Sequence, residues 1–211
     1  MSDKISQPPA RGRPKDPAKR IAILEAAKEL FLRDGYVGTS MDAVAAEAGV
    51  SKLTVYSHFS DKANLFSAAV EAKSEEMLPS FALDEGHDIQ VMLHQVGCAF
   101  VKVINSDEAV GLHRLMAAQA GQDNDMARLF FEAGPERMIQ RMEKLLASYQ
   151  SQEQLRLDDP AVAAEHFFGL LQGCHHMQVL IGCAEPPNEE EVSRRVASAV
   201  RVFLHGYAAR D

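Results

Sequence analysis

The sequence predicts an all-α protein with a small N-terminal helical domain followed by a longer helical domain. Apolar residues recur at steps of three and four along most of the chain, which is the period of a helix buried on one face. No segment shows the alternating apolar and polar pattern of a half-buried strand. The stretch from Thr39 to Phe59 also has the composition of two short capped helices around a glycine turn.

Length and composition limit the class of molecule. With 211 residues, 46% of them hydrophobic, the chain can bury a core in one or two domains. It has no apolar run of about 18 residues and no apolar stretch after its basic N-terminus, so we expect neither a membrane span nor a secretory signal. The three cysteines lack CxxC spacing and suit a reducing cytoplasm.

Charge is distributed unevenly along the chain. The formal net charge is −8, but residues 1–20 hold six Lys/Arg against two Asp/Glu. Residues 61–211 hold thirteen Lys/Arg against twenty-three Asp/Glu. A basic end on an acidic body would orient the molecule on a polyanion. A basic tail that only improves solubility explains the same pattern equally well.

The stretch from Thr39 to Phe59 is typical of a helix-turn-helix unit. Thr39 or Ser40 can cap the first short helix, and Gly49 suits the left-handed backbone that ends it. Ser51 can then cap the second helix. In a helix-turn-helix the second helix enters the DNA major groove while the first crosses the backbone. Two packed helices of an ordinary all-α domain are the alternative.

The second motif helix offers a face of hydrogen-bonding side chains. Val55 and Phe59 can point into the core, and Leu53 can join them. The other positions supply hydroxyl, ammonium, phenol and imidazole groups, which fit phosphates and base edges. These positions are Ser51, Lys52, Thr54, Tyr56, Ser57 and His58. This inventory favours DNA binding over an ordinary helical hairpin.

The pattern divides the chain into four segments. They are a flexible basic arm at 1–15, a three-helix helix-turn-helix DNA-binding domain at 16–60, a connecting helix at 61–78 and a helical ligand-binding and dimerisation domain at 79–211. The arm carries Arg11 and Arg13, and arginine on such an arm can reach into a minor groove. Its alternative role is that of a solubilising tail.

Helix boundaries follow from capping residues. Asp16-Pro17 and Asp159-Pro160 each read as a cap followed by proline in the first helical turn. We expect Gly35 to stop the first helix. The remaining helices are predicted from Ser60 towards Met77 and at 88–105, 107–120, 123–133, 135–150, 160–182 and 189–207.

Four stretches near the N-terminus resemble one protein family. They read RGRP at 11–14, ILEAAKELFLRDGY at 23–36, TSMDAVAAEAGVSKLTVYSHF at 39–59 and DKANLF at 61–66. Together they are similar, without gaps, to the DNA-binding domain of TetR-family transcriptional regulators. The C-terminal part resembles AefR-like members of that family in HRLMAAQAG at 113–121, FFEAGPERM at 130–138 and EHFFGLLQG at 165–173.

The resemblance implies a homodimer that binds double-stranded DNA at a pseudo-palindromic operator. Such proteins usually repress transcription and leave DNA when a small hydrophobic effector binds the body. The last two helices usually form the four-helix bundle of the dimer. By position, the resemblance implies phosphate contacts for Thr39 and Ser40, base contacts for Lys52, Leu53 and Thr54, and DNA-backbone contacts for Tyr56, His58 and Lys62.

Apolar stripes on the last two helices are compatible with a partner subunit. The helix at 160–182 is apolar over much of its circumference, which predicts burial on several sides. Periodicity does not separate packing within one chain from packing between two chains. The candidate interface residues are Phe168, His175, Val192, Val196, Val200, Phe203, Leu204 and Tyr207.

Methionine, cysteine, histidine and aromatic residues in the second domain are candidates for an effector pocket. Methionine and aromatic side chains adapt to irregular apolar ligands. Most of them would serve equally well as core filler. The candidates are His94, Cys98, His113, Met116, Phe130, Met138, Phe167, Cys174 and Met177, with His175 and His176 beside them.

The sequence favours neither a metal site nor an enzyme. Adjacent His175 and His176 point about 100° apart on a helix, so both cannot easily bind one ion. Nucleophile and phosphate-binding motifs such as GxSxG, GxxxxGK[ST] and GxGxxG are absent. We therefore expect no metal, cofactor or catalysis. His94 and Cys98 lie four residues apart on one helix face and could form a thiol–imidazole pair, although two buried side chains explain them better. Two alternatives stay open: a thiol- or redox-sensing regulator of the same fold, and an interaction protein that does not bind DNA.

Overall fold

The computed structural model describes residues 16–77, 88–119 and 124–209, and this part of the chain consists of α-helices and short connections, as the predicted all-α class requires. A single bridge between Leu155 and Ala208 is the only β-type pairing in these ranges. Arg11, Arg13 and the expected domain junction near 79 lie outside them. The helices are α1 Pro17–Gly38, α2 Met41–Glu47, α3 Lys52–His58, α4 Lys62–Met77, α5 Ile89–Ile104, α6 Asp107–Gln119, α7 Asn124–Ala133, α8 Pro135–Ser151, α9 Pro160–Leu180 and α10 Glu189–Tyr207.

Capping residues start the helices where the sequence predicted. An Asp16 carboxylate oxygen accepts a hydrogen bond from the backbone N–H of Ala18 at 3.0 Å, ahead of Pro17. Asp159 caps α9 in the same way. These side chains satisfy N–H groups that have no partner within the helix. The first helix is interrupted at Gly35, whose φ of 73° leaves the helical region, and the chain then completes one further turn.

The head, α1–α4, is built on a core that reaches beyond the head itself. Phe31 of α1 and Phe66 of α4 meet edge to face with ring centroids 5.1 Å apart, and Tyr36 packs against both rings. Met126 and Ala133 of α7 are buried in the same cluster. The head and the body therefore share one hydrophobic core along α4.

The body has a second core, formed mainly by α5, α8, α9 and α10. Helices α5 and α10 lie very close together at Gly97. A Cβ atom built at Gly97 would come within 2.6 Å of Val196 Cγ1, so only glycine allows this approach. The apolar stripe of α10 faces this core, because Val192, Val196 and Val200 are buried against the chain's own helices.

Ion pairs join α4 to the body along its outer side. Glu71 pairs with Arg137, and Glu75 pairs with Arg141 at 2.9 Å, which links two successive turns of α4 to two of α8. The side chains are partly exposed, so each pair contributes at most about 1 kcal/mol to stability. Their effect is to fix the register between α4 and α8.

Helix α9 is bent at Gly173, where φ is 49°. Beyond the bend its C-terminal end is held by α6, because Arg114 donates hydrogen bonds to the carbonyls of Val179 and Leu180 at 2.9 and 2.7 Å. A cation at this end also complements the helix dipole. No helix within the described residues is both long and apolar enough to span a bilayer.

Candidate nucleic-acid interface and effector cavity

The turn between α2 and α3 forms as the sequence predicted. Ser40 caps α2, its hydroxyl oxygen accepting from the N–H of Ala43 at 3.1 Å. Gly49 has a φ of 64°, the left-handed conformation that suits glycine. Ser51 caps α3 by accepting from the N–H of Thr54 at 3.1 Å. Two caps and one glycine thus set the angle between the two motif helices.

Helix α3 presents almost its whole surface to solvent. Only Val55 is buried, and it anchors the helix to the head core. Leu53 is 80% exposed, so the structure assigns this apolar side chain to the surface rather than the core. Tyr56 is 43% exposed, and Lys52 and Ser57 are exposed beside them. An exposed helix with this mixture of groups can enter a groove without unfolding any part of the head.

Lys52 links the two motif helices. Its ammonium lies 2.8 Å from a carboxylate oxygen of Asp42, and this hydrogen bond raises the pKa of Lys52. Both side chains are solvent-exposed, so the pair exchanges readily with water or another anion. A phosphate or a guanine edge can therefore compete for this ammonium.

Lys62 and Thr39 lie differently from the other expected DNA contacts. The Lys62 ammonium donates to the carbonyls of Tyr36 and Thr39 at 2.8 and 3.0 Å, and sits 4.4 Å from the centre of the Tyr36 ring. Thr39 is 2% exposed, and its hydroxyl donates to the carbonyl of Gly35 at 2.7 Å. Both side chains donate hydrogen bonds to carbonyl groups at the C-terminal end of α1 and so stabilise that helix end.

Two further side chains lie near α3: His58, which was expected to contact DNA, and Arg20, which was not. His58 is half-buried, with its ring centroid 6.4 Å from that of Phe59. The Arg20 guanidinium lies 5.2 Å from the Phe59 ring centre and is exposed at the end of α3. Arg20 was not among the expected DNA contacts, although its place in the basic N-terminal segment was a signal. It adds a cation to the surface that carries α3.

An apolar cavity of about 130 Å³ lies where the head meets the body. Helices α1 and α4 form one side, and α5, α6, α7 and α8 form the other. Of the predicted pocket residues, the cavity brings together three: His113, Phe130 and Met138. The sequence missed the head-derived wall, which includes Phe31, Leu32, Phe66, Ala69 and Val70. Helical spacing does not distinguish a core residue from one that lines a cavity.

The remaining pocket candidates are scattered over the body. Met116 packs against the head core, while Phe167 is fully buried in the body core. His94 lines a separate groove between α5 and α10, and Cys98 lies one turn further along α5. Cys174 and Met177 are exposed on α9. These six side chains do not form one site.

His113 is the histidine that lines the cavity. Its ring meets Phe130 and His176 edge to face, at centroid distances of 5.8 and 5.7 Å. Burial lowers the pKa of His113. Within the described residues its Nδ1 atom is buried without a hydrogen-bond partner. An unpaired buried nitrogen is costly, so this atom is poised to accept a partner.

Cysteine chemistry has little support from the geometry. Cys98 Sγ lies 3.7 Å from His94 Nδ1, but burial raises the pKa of the Cys98 thiol. A raised pKa disfavours the reactive thiolate. Cys174 and Cys183 are exposed free thiols. In the part of the chain that the structure describes, no three His, Cys, Asp or Glu side chains are grouped to bind a metal.

The exposed apolar surface of the last two helices lies mainly on α9. Of the expected interface residues, Phe168 and Phe203 are buried with the α10 valines, so they are not available at the surface. His175, Leu204 and Tyr207 are only partly exposed. The exposed apolar residues of α9 and its cap, together with an exposed thiol, lie on both sides of the bend at Gly173: Val162, Leu170, Cys174, Met177 and Ile181.

Two family models match the chain. The model of bacterial regulatory proteins of the tetR family matches residues 23–69, which span most of α1 to α4. The model of the C-terminal domain of AefR-like transcriptional repressors matches residues 91–209, more than half of the chain. The two matches follow the division between head and body.

Solved structures with the same fold include two regulators. The Flavonoid-responsive Regulator FrrA is 31% identical, with a TM-score of 0.73 over 93% of this chain and 100% of that one. A protein described as a TetR-family regulator from Mesorhizobium loti is 28% identical, with a TM-score of 0.75 over 92% and 99% of the two chains.

Curated relatives match over shorter stretches. The uncharacterised regulator YdeS of Bacillus subtilis is 32% identical over 51% of this chain. The transcriptional repressor TetR of Mycobacteroides abscessus is 49% identical over 24% of it. The matched regions cover only 53% and 27% of those relatives' own lengths. These relatives are transcriptional regulators rather than enzymes.

The contacts of Lys62 generate a prediction that separates a structural role from a DNA-contacting one. Lys62→Ala removes two hydrogen bonds from an ammonium to α1 carbonyls, so we expect a loss of about 1–3 kcal/mol in the free energy of unfolding. Urea denaturation measures it. Lys102→Ala is the control, because Lys102 makes only an exposed pair with Glu189 and should change stability by less than about 0.5 kcal/mol.

The same variant also tests the DNA contact implied for Lys62. We expect the salt dependence of DNA binding to be unchanged in folded Lys62→Ala protein. If the slope of log affinity against log salt instead falls by about one, Lys62 neutralises a phosphate and the structural assignment is incomplete.

Proposed function

Because the chain belongs to the TetR family of bacterial transcriptional regulators and carries an AefR-like C-terminal domain, we propose that it is a homodimeric repressor released from a pseudo-palindromic operator by a small hydrophobic effector. The observation that carries this proposal is the apolar cavity between head and body. A ligand held there touches helices of both parts, so its binding and the position of the DNA-reading helix are physically linked.

Helix α3 is the proposed reader of the operator. In a dimer, two such helices sit about 34–36 Å apart and read successive major grooves on one face of the duplex. Leu53 is the exposed apolar side chain of this surface and would contact a thymine methyl group. Lys52 and Thr54 supply polar groups for base edges, and Tyr56 supplies a hydroxyl for the DNA backbone.

Helix α4 is the proposed link between effector and operator. Phe66, Ala69 and Val70 belong to the head core and also line the cavity. A ligand that enlarges the cavity must displace either α4 or its partners in the body. Displacing α4 moves the head and changes the distance between the two α3 helices. The effector acts only if it binds the displaced state more tightly, since equal affinity for both states shifts nothing.

The cavity walls favour an aromatic effector. Phe31, Phe66 and Phe130 line the cavity, and aromatic rings pack well edge to face or offset against one another. The relative FrrA is named as flavonoid-responsive, which supports an aromatic ligand class for this chain. The cavity is smaller than the roughly 300–1,000 Å³ typical of drug-sized ligands. A multi-ring effector would therefore have to widen it.

We further infer that the subunits pair through the exposed face of α9. Leu170 and Met177 are 42% and 58% exposed, and large apolar side chains exposed on the same helix favour an interaction surface. A second copy of the same helix would cover them. The α10 stripe lies inward and instead holds α10 against α5, which supports the α9 face from behind.

The α3 surface predicts separate effects on sequence preference and on overall affinity. Leu53→Ala should relax the preference at one base position by about 1 kcal/mol, since it removes an apolar contact to a base. Tyr56→Phe should weaken binding to all sequences to a similar extent. Selection of genomic fragments followed by titration of single-base operator variants measures both. Val202→Ala, at an exposed apolar position on α10, should leave both quantities unchanged.

Side chains that fill the cavity should prevent the effector from releasing the protein from DNA. Ala109 of α6 lines the cavity, and Ala109→Leu and Ala109→Trp should exclude the ligand progressively, at a cost of about 1–3 kcal/mol from overpacking. Gly111→Leu is the control, because a side chain at Gly111 meets open space on the same helix. Ligand titration of the protein–operator complex by fluorescence anisotropy measures release. Normal release from Ala109→Trp protein would refute the cavity as the effector site.

The α9 face predicts a monomer when charge is introduced there. Leu170→Glu and Met177→Glu would bury an unpaired carboxylate in the interface, so we expect the dimer dissociation constant to rise by more than about a hundredfold. Light scattering across a concentration series measures this. Val91→Glu alters an equally exposed apolar residue on α5 and should remain dimeric. A dimer that persists in both α9 variants would place the interface elsewhere.

A further inference from the structure

The lining of the head–body cavity is apolar and aromatic around one imidazole. Phe130 packs edge to face against the His113 ring, and Phe31 and Phe66 stand on the head side of the cavity. Lys28, Lys73, Ser74 and Glu108 also contribute to the lining. Lys73 and Glu108 lie 3.9 Å apart as a partly exposed pair at the edge. His113 is therefore the polar side chain placed among the aromatic rings.

Asn105 hydrogen-bonds His176, the imidazole beside His113, whereas the Nδ1 atom of His113 has no such partner among the described residues. Asn105 donates through Nδ2 to the carbonyl of Val101 at 2.8 Å, so its Oδ1 atom faces His176. The Nδ1 atom of His176 lies 3.2 Å from that oxygen and must carry the proton that bonds it. His176 is thus held in one tautomer. His113, whose Nδ1 has no partner among the described residues, has no comparable restraint.

Both imidazoles are neutral near pH 7. Burial lowers the pKa of His113, and burial together with His113 and His175 lowers the pKa of His176. A neutral imidazole offers one N–H donor and one bare nitrogen acceptor. A neutral hydroxyl group can donate to the bare nitrogen or accept from the N–H. The two lysines of the lining are already paired with carboxylates, Lys28 with Glu25 and Lys73 with Glu108.

The size of the cavity limits the ligand to about one ring. Its volume of about 130 Å³ is close to that of the roughly 150 Å³ engineered apolar cavity that binds benzene. A single aromatic ring matches this volume and would lie against the α4 residues Phe66, Ala69 and Val70. A hydroxyl group on such a ring would meet the His113 imidazole, which lines the cavity.

We propose that His113 is the specificity-determining residue of this cavity and hydrogen-bonds the hydroxyl group of a compact, neutral, single-ring phenol. This inference rests on the proposed function, because it assigns a chemical class to the effector of the same cavity. The aromatic walls hold the ring, and the imidazole distinguishes a phenol from the corresponding hydrocarbon. The Asn105–His176 pair holds the His176 ring edge to face with the His113 ring.

The test uses p-cresol and toluene, which have nearly the same shape and differ by one hydroxyl group. Calorimetric titration of the full-length protein gives the dissociation constant of each probe. Replacing His113 by phenylalanine keeps a planar ring but removes both nitrogens. We expect the ratio of toluene to p-cresol dissociation constants to fall about tenfold in His113→Phe protein, since one hydrogen bond is lost. His113→Asn retains an amide donor and acceptor and should recover part of the preference.

The outcomes separate this inference from the effector cavity itself. A structural role for His113 would weaken both probes equally and leave the ratio unchanged, which would overturn the inference while the cavity stands. Binding of neither probe to the wild-type protein would contradict the cavity as well. Ala109→Trp should abolish binding of both probes. The ¹⁵N chemical shifts of the His113 ring should move with p-cresol and not with toluene, and equal movement would also overturn the proposal.

Discussion

The packing of α4 between two sets of helices is the constraint on which the rest of the structure depends. One side of α4 closes the head core through Leu65 and Phe66. Buried apolar residues of α7 complete that core from the body side. Head and body are thus not two independent globules. Burial of this shared surface stabilises both, at roughly 25 cal/mol per Å² of apolar area removed from water, and any change in one is felt by the other.

The cavity lies where this packing is incomplete. Well-packed interiors leave few voids larger than a water molecule, so a void between head and body needs a reason. The proposed effector would supply that reason, because the walls that it would touch are the walls that hold α4. Partly exposed ion pairs from α4 to α8 resist sliding along the helix axis but add little stability. The ion pairs therefore define the register of α4 against α8, while the shared core supplies most of the stability.

Local signals predicted much of this molecule. The caps at Asp16, Ser51 and Asp159 and the turn at Gly49 depend on backbone groups within a few residues, so sequence patterns report them directly. The all-α class and family membership followed from such patterns. Contacts between segments that are distant in the sequence were harder to predict. Lys62 has the appearance of a phosphate-binding residue at a helix start, yet its ammonium closes the end of α1, more than twenty residues earlier.

The sequence by itself determined the helices, their caps, the helix-turn-helix and the family, because these depend on spacing along the chain. Only the tertiary structure decided which side of each helix faces which neighbour. The apolar stripe of α10 could face a partner subunit or its own chain, and periodicity is the same in both cases; packing against α5 assigns it to the core. The cavity also required the fold, since its walls come from six helices and three-dimensional packing alone brings His113 beside Phe66.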